Sequence, residues 1–281
     1  MQSESDPVLV RSTNEGITTI TINRPYRRNA VDPSTAQILY EKILAFENDP
    51  SQKVCILTGV GSTFCAGADL HEVAGQGNSD KATKGGRGHF QAPPKSGERS
   101  LGPMGPSRLH IQKPIIGAVA GHAVAGGLEL SLLCDIRVVE EDAVFGVFCR
   151  RWGVPLIDGG TVRLQAIVGL GRALDMILTG RPVSATEAFS MGLANRVVAK
   201  GKAVEEATAI AKQLLSFPQL CMNADRGSCY YSAYQASSFQ DALRQEYEKG
   251  VEVLDLESIK GATKFSRGAG RHGSFKNSSH L

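Results

Sequence analysis

The stretch Gly121-His122-Ala123-Val124-Ala125-Gly126-Gly127-Leu128-Glu129-Leu130 decides how this chain is read. It follows a continuous apolar run over residues 115–120, which has the character of a fully buried strand. Gly126-Gly127 then opens a helix that carries Glu129 in its first turn. N–H groups at a helix start lack intrahelical acceptors and sit at the positive end of the helix dipole. They are suited to stabilising an oxyanion. Glu129 is an ionisable group in an apolar, Gly-rich segment. A carboxylate there is either capped by local N–H groups or functional, and its neighbours favour function.

A second stretch, Phe64-Cys65-Ala66-Gly67-Ala68-Asp69-Leu70, follows a short apolar strand at 54–58. Small residues at 66–68 let another backbone or a ligand approach closely. On spacing alone, a tight strand-to-helix turn capped by Asp69 accounts for it.

Outward from these loops, residues 8–11 and 16–23 read as strands around Asn14-Glu15-Gly16. The loop over 24–29 follows, and Pro33 opens a helix with Ala36, Leu39, Ile43 and Phe46 on its apolar stripe. Strands are expected at 134–139, 143–146 and 196–198. Helices are expected at 159–168, 172–179 and 184–190, the last capped by Ser184. From Lys202 to about Ser266 the pattern is helical throughout. Strands alternating with helices, then helices alone, imply an α/β core with a helical C-terminal part. The expected division is a core over 1–200, a helical region over 201–270 and a tail over 271–281. Residues 75–114 are rich in Gly, Pro, Ser and Lys, as lids or disordered segments are.

The chain has 281 residues, 42% of them hydrophobic and 21% charged, as soluble globular proteins do. Its net charge of +3 is too small to indicate nucleic-acid binding. No apolar run is long enough to span a bilayer. Residues 1–10 do not read as a signal peptide. The six cysteines contain no C-x-x-C pair, so no metal site is expected. Most of them sit in apolar runs and read as buried thiols, which places the chain in a reducing compartment.

The two loops together resemble the crotonase (enoyl-CoA hydratase/isomerase) superfamily. The resemblance also rests on Asn23-Arg24-Pro25, Asn29-Ala30, Lys113-Pro114, Cys134-Asp135, Leu178-Thr179-Gly180, Ala185, Ala188 and Gly192-Leu193. It implies a ββα spiral core, a C-terminal helical trimerisation region, and an acyl-CoA thioester as substrate. Coenzyme A is then part of the substrate, and no separate cofactor is implied. The family's two oxyanion N–H groups match Ala68 and Gly126. Its CoA-contacting turn matches Ala66, Asp69 and Leu70. Arg27 and Arg28 match the segment near the adenosine end of CoA, where they would meet phosphate or else be solvated loop arginines. Lys264 and Phe265 match positions near the adenine, or ordinary helix packing.

Family hydratases use two glutamates. The first matches Glu129, but the second position holds Cys149. A thiol is a poor substitute for a carboxylic acid near neutral pH, and a buried inert thiol is expected. Asp158 is the candidate replacement; its other reading is an N-cap ahead of Gly159-Gly160. Met104, Leu109 and Trp152 are candidate acyl-pocket residues. The resulting expectation is an enoyl-CoA hydratase-like lyase. Its rivals are an enoyl- or dienoyl-CoA isomerase, an acyl-CoA hydrolase, and a non-catalytic acyl-CoA-binding protein. The resemblance also implies a homotrimer or dimer of trimers. Ser279-His280-Leu281 at the C-terminus resembles a peroxisomal import signal, with cytoplasm or mitochondrial matrix as the other expected locations.

Overall fold

A computed structural model describes residues 6–71, 74, 92–95 and 98–268. The chain divides into two compact units, one up to Ala209 and one from Ile210.

In the first unit, strands β1 (Val8–Ser12), β2 (Ile17–Ile22), β3 (Val54–Gly59), β4 (Ile115–Val119), β6 (Ile136–Glu140) and β9 (Arg196–Val198) form one sheet in the order β1-β2-β3-β4-β6-β9. All neighbours are parallel except β1 and β2. Strands β5 (His122–Val124), β7 (Val144–Gly146) and β8 (Val183–Ser184) form a second, smaller sheet. The central turns of the winding put a strand in the large sheet, a short one in the small layer, and then a helix. Thus β4 and β5 lead to helix α2 (Gly126–Leu133), and β6 and β7 lead on towards α3 (Gly160–Val168). This is the expected ββα spiral.

The central parallel strands β3 and β4 are buried on both faces, so they read as continuous apolar runs rather than alternating ones. Every residue of β4 is buried, as are Val54 to Thr58 of β3. Helix α1 (Pro33–Asn48) packs Ala36, Leu39, Ile43 and Phe46 into the core, the stripe its spacing predicts. Asp32 caps it by accepting the Thr35 N–H at 2.7 Å. After α3 come α4 (Leu170–Thr179) and α5 (Ala185–Ser190), the latter capped by Ser184 as expected.

Sequence patterning missed the three-residue β5 and the two-residue β8, which are too short to show a period. The strand expected at 134–139 begins two residues later, because Cys134 still belongs to the end of α2.

Helix α6 (Ala203–Leu215) follows β9. The second unit contains α7 (Gln219–Tyr234), α8 (Phe239–Val253) and α9 (Ile259–Ser266). Ser238 caps α8 through the Asp241 N–H. The Glu257 carboxylate accepts the Leu220 and Cys221 N–H groups at 3.1 and 2.9 Å, closing the start of α7. An anion at a helix N-terminus also meets the positive end of its dipole. The Ser279, His280 and Leu281 tail and residues 75–91, 96 and 97 of the expected lid lie outside the described residues.

Candidate active site

The Cys65–Leu70 turn and the Gly121–Gly127 turn are neighbours because their backbones pair. Cys65 donates its N–H to His122 O at 2.9 Å and accepts the Val124 N–H at 3.1 Å. On the other side, Ala66 donates to Arg28 O, Val31 donates to Gly67 O, and Asp69 donates to Val31 O. In this parallel bridge between Val31 and Ala68, the residues flanking Ala68 make both bonds. The N–H of Ala68 itself therefore points away from Val31. Among the described residues neither the Ala68 nor the Gly126 N–H has a protein acceptor.

Close approach makes the arrangement depend on small residues. A Cβ on Gly67, whose φ is +101°, would lie 2.9 Å from Gly126 N. A Cβ on Gly127 would lie 2.0 Å from Cys65 O. Ala125, immediately before α2, has φ 53° and ψ −124°. A non-glycine residue in such a conformation costs about 1–3 kcal/mol and persists only where surrounding structure enforces it. The Ala125 N–H is held by Gly146 O at 2.9 Å. The strained step directs the free N–H groups that open α2.

The outer turn is braced by Arg24 and Asn29. Buried Arg24 pairs with Asp32 at 2.7 Å and with Asp69 at 3.3 Å. The Asp69 carboxylate is thereby buried and also accepts the His71 N–H at 3.2 Å, as its expected capping role requires. Arg27 reaches Asp69 at 3.9 Å. Leu70 is exposed beside it. Thus Arg27, Arg28, Ala66, Ala68, Asp69 and Leu70 come together on paired segments. Fully buried Asn29, at φ 56°, donates to Val60 O and Thr63 O and accepts the Arg24 N–H. Asn29→Ala removes all three bonds, leaving the buried Arg24 N–H and the part-buried Val60 and Thr63 carbonyls without this partner. We expect it to lower stability by roughly 2–4 kcal/mol, read as a fall in the urea midpoint; an unchanged midpoint would contradict this bracing role.

Glu129 is 3% exposed. Its Oε1 accepts the Asp158 N–H at 2.9 Å and the Gly160 N–H at 2.8 Å. Burial, and next the nearby Asp158 carboxylate, push its pKa up to about 7, against the pull of those N–H groups and of Arg163. A carboxyl poised there exchanges protons near neutral pH.

Asp158 is equally buried. The N-cap reading of Asp158 is corrected: Gly159 occupies the cap of α3, at φ 92°, and no side chain caps it. The Asp158 Oδ1 instead accepts the Met104 N–H at 3.0 Å and the Ser107 hydroxyl. Here the side chain turns away from its own helix because the 102–108 segment offers two donors.

Cys149 lies on a short 3-10 turn, Phe148–Trp152, and is buried. Desolvation, followed by the negative charge of Glu129, raises its thiol pKa and keeps it protonated. A thiol so held is a poor nucleophile. Met104 and Leu109 are buried, whereas Trp152 is 71% exposed, so only the first two are candidates for an enclosed apolar wall. Lys264 and Phe265 are exposed on α9 in the second unit. Ser107 and Arg163 escaped sequence reasoning: their partners lie about fifty residues away along the chain, and neither sits in a recognisable motif. Among the described residues, no group of His, Cys, Asp and Glu could hold a metal ion.

Known proteins resemble this chain in sequence and in fold. Residues 12–260 match the family model described as enoyl-CoA hydratase/isomerase. An enoyl-CoA hydratase of Mycobacterium tuberculosis is 35% identical over 212 residues, covering 73% of each chain. A mevalonyl-coenzyme A hydratase of Aspergillus fumigatus is 35% identical over 220 residues, covering 75% of this chain and 77% of that one. The crystal structure of an enoyl-CoA hydratase from Mycobacterium marinum superposes with a TM-score of 0.80 at 29% identity, covering 94% of this chain and 96% of that chain. The fold, the paired turns and these relatives agree that the chain belongs to the enoyl-CoA hydratase/isomerase family, within the crotonase superfamily.

Proposed function

We propose that the protein is an enoyl-CoA hydratase-like lyase acting on the α,β double bond of an acyl-CoA thioester. The observation that carries this is the pair of N–H groups, Ala68 and Gly126, without an acceptor among the described residues, on adjoining turns beside a buried carboxyl whose pKa is pushed up to about 7. The two N–H groups hold the thioester oxygen as it gains negative charge. Electron withdrawal towards that oxygen opens the β-carbon to water. Glu129 takes the water's proton as general base. Protonation of the α-carbon completes the addition, and Asp158 or a water chain supplies that proton, Asp158 only after taking one up itself, since it faces Glu129 as a charged carboxylate. Arg27, Arg28, Ala66, Asp69 and Leu70 form the coenzyme A side of the site; Lys264 and Phe265 are assigned to the adenine by the family resemblance alone, in which such residues often come from a neighbouring subunit. Asp69 acts there through its ion pair with Arg24, which shapes the turn. Coenzyme A arrives as part of the substrate and no further cofactor is required.

A second reading rests on the same pair of buried carboxyls. Glu129 and Asp158 could move a proton between two carbons of the acyl chain without adding water, as an isomerase does. A panel of 2-enoyl-, 3-enoyl- and dienoyl-CoA thioesters incubated in deuterated water separates the two. Hydration predicts a product heavier by one water; isomerisation predicts deuterium exchange without that gain. Release of free CoA would mark a hydrolase. Thioester binding without turnover on the whole panel would leave only a binding protein. The homotrimer or dimer of trimers of the family is part of this proposal, supported by exposed Leu243, Tyr247, Leu254 and Ile259. Peroxisomal import through Ser279-His280-Leu281 is part of it too, supported by the tripeptide alone.

A further inference from the structure

We propose that Arg163 is a positioning residue whose guanidinium ties together the two turns that orient the Glu129 and Asp158 carboxyls. The inference rests on Glu129 as the proton-transferring group of the proposed function.

Arg163 lies on α3, half-buried. Its Nη1 donates to Ser107 O and, at 3.4 Å, to Asp158 O. Its Nη2 donates to Leu109 O at 3.1 Å. One side chain thus spans three carbonyls on two segments distant in sequence. Arg108 laces the same segments in the opposite direction, from its Nε and Nη2 to Ile157 O at 3.2 Å. Each clamped segment carries a carboxyl's donors. The turn at 158–160 supplies the two N–H groups that hold Glu129 Oε1. The turn at 104–107 supplies the Met104 N–H and the Ser107 hydroxyl that hold Asp158 Oδ1. Loosening either turn would leave a buried carboxyl short of donors, which favours its protonated form.

The charge acts in the same direction. Glu129 is faced by Asp158 from the 157–160 turn, by Arg163 from α3, and by the neutral Cys149 thiol from the 148–152 turn. Helix α2 contributes no other titratable group. Arg163 is therefore the positive charge that offsets Asp158 at Glu129. A lysine would keep that charge but not the planar fork needed for three carbonyls.

An arginine that merely satisfies loop carbonyls would lower stability on removal without changing how Glu129 ionises. The deciding experiment titrates the Glu129 carboxyl directly by carbon-13 NMR, its signal assigned through Glu129→Gln. Arg163→Met, Arg163→Gln and Arg163→Lys are compared with the unaltered protein, alongside kcat and KM across pH. Arg163→Met and Arg163→Gln should each raise the Glu129 midpoint by about one pH unit or more. Their kcat at neutral pH should fall roughly tenfold, with KM within about twofold. Arg163→Lys should return the midpoint towards the original while recovering kcat only in part. The two charge-removing variants cover each other should one fail to fold. An unmoved midpoint in the folded variants overturns the proposal, whatever the activity. The titration needs no turnover, so an unaltered protein inactive on every thioester would overturn the hydratase reading and leave this test standing.

Discussion

Glu129→Gln is expected to lower kcat for hydration by roughly 10²–10⁴-fold, the range a positioned general base contributes, with little change in KM. The substitution is close to isosteric. A glutamine oxygen can still accept the Asp158 and Gly160 N–H groups that now hold Glu129 Oε1. What is lost is the capacity to take a proton. In the unaltered enzyme, only ionised Glu129 can act as the base. kcat/KM should therefore rise as the pH passes upward through about 7, the value to which burial and Asp158 raise this carboxyl. The variant should lose that limb along with the rate. Stability should move the other way. A carboxyl whose folded pKa is raised contributes stability that is fully present below its unfolded value and lost as pH rises through the folded one. For Glu129 that window runs from the ordinary 4.5 to about 7. Above it, the folded protein carries a buried charge that glutamine removes. Glu129→Gln should then be more stable than the unaltered protein above pH 7, by roughly 1–3 kcal/mol. A variant that loses activity and melts earlier at pH 8 would mean that Glu129 is mainly structural.

Gly127→Ala should be among the most damaging glycine substitutions in the described part of the first unit. Its Cβ would stand 2.0 Å from Cys65 O, which is backbone and already bonded to the Val124 N–H. The two paired turns would have to separate. Overpacking of this kind costs about 1–3 kcal/mol and occasionally more, and a backbone atom at 2.0 Å puts this case at the upper end. Because the same turns carry Ala68 and Gly126, residual folded enzyme should also lose activity by roughly 10²-fold, through displaced oxyanion donors. Gly171→Ala is the matched control. It lies on α4, and nothing stands within 4 Å of its would-be Cβ. Alanine there should stabilise the fold by about 0.5–1 kcal/mol. Denaturant midpoints and kcat/KM for the pair check both statements. Equal behaviour of the two variants would show that the close packing of the turns is unimportant.

The α/β class and the switch to helices alone near residue 202 were legible because long buried strands and amphipathic helices impose their period on the chain. Glu129 was legible as well. A carboxylate between Gly127 and Leu130 in an otherwise apolar run needs a reason, and the helix start supplied one. Ala68 and Gly126 came through as small residues, which record a close approach without saying what approaches. Asp158 could be named but not assigned, because its neighbours Gly159-Gly160 look like an ordinary helix start. Its actual donors, Met104 and Ser107, lie about fifty residues earlier in a stretch with no periodic signal.

By itself, then, the sequence determined which residues are apolar, small or ionisable, and so the local elements and the family. Tertiary structure alone decided the electrostatic state of the site. Chain winding places Asp158 beside Glu129, sets Arg163 against both, and removes water from all of them except the half-buried arginine. A pKa near 7 depends on distances and desolvation between segments far apart in the chain, and those exist only once the turns have packed.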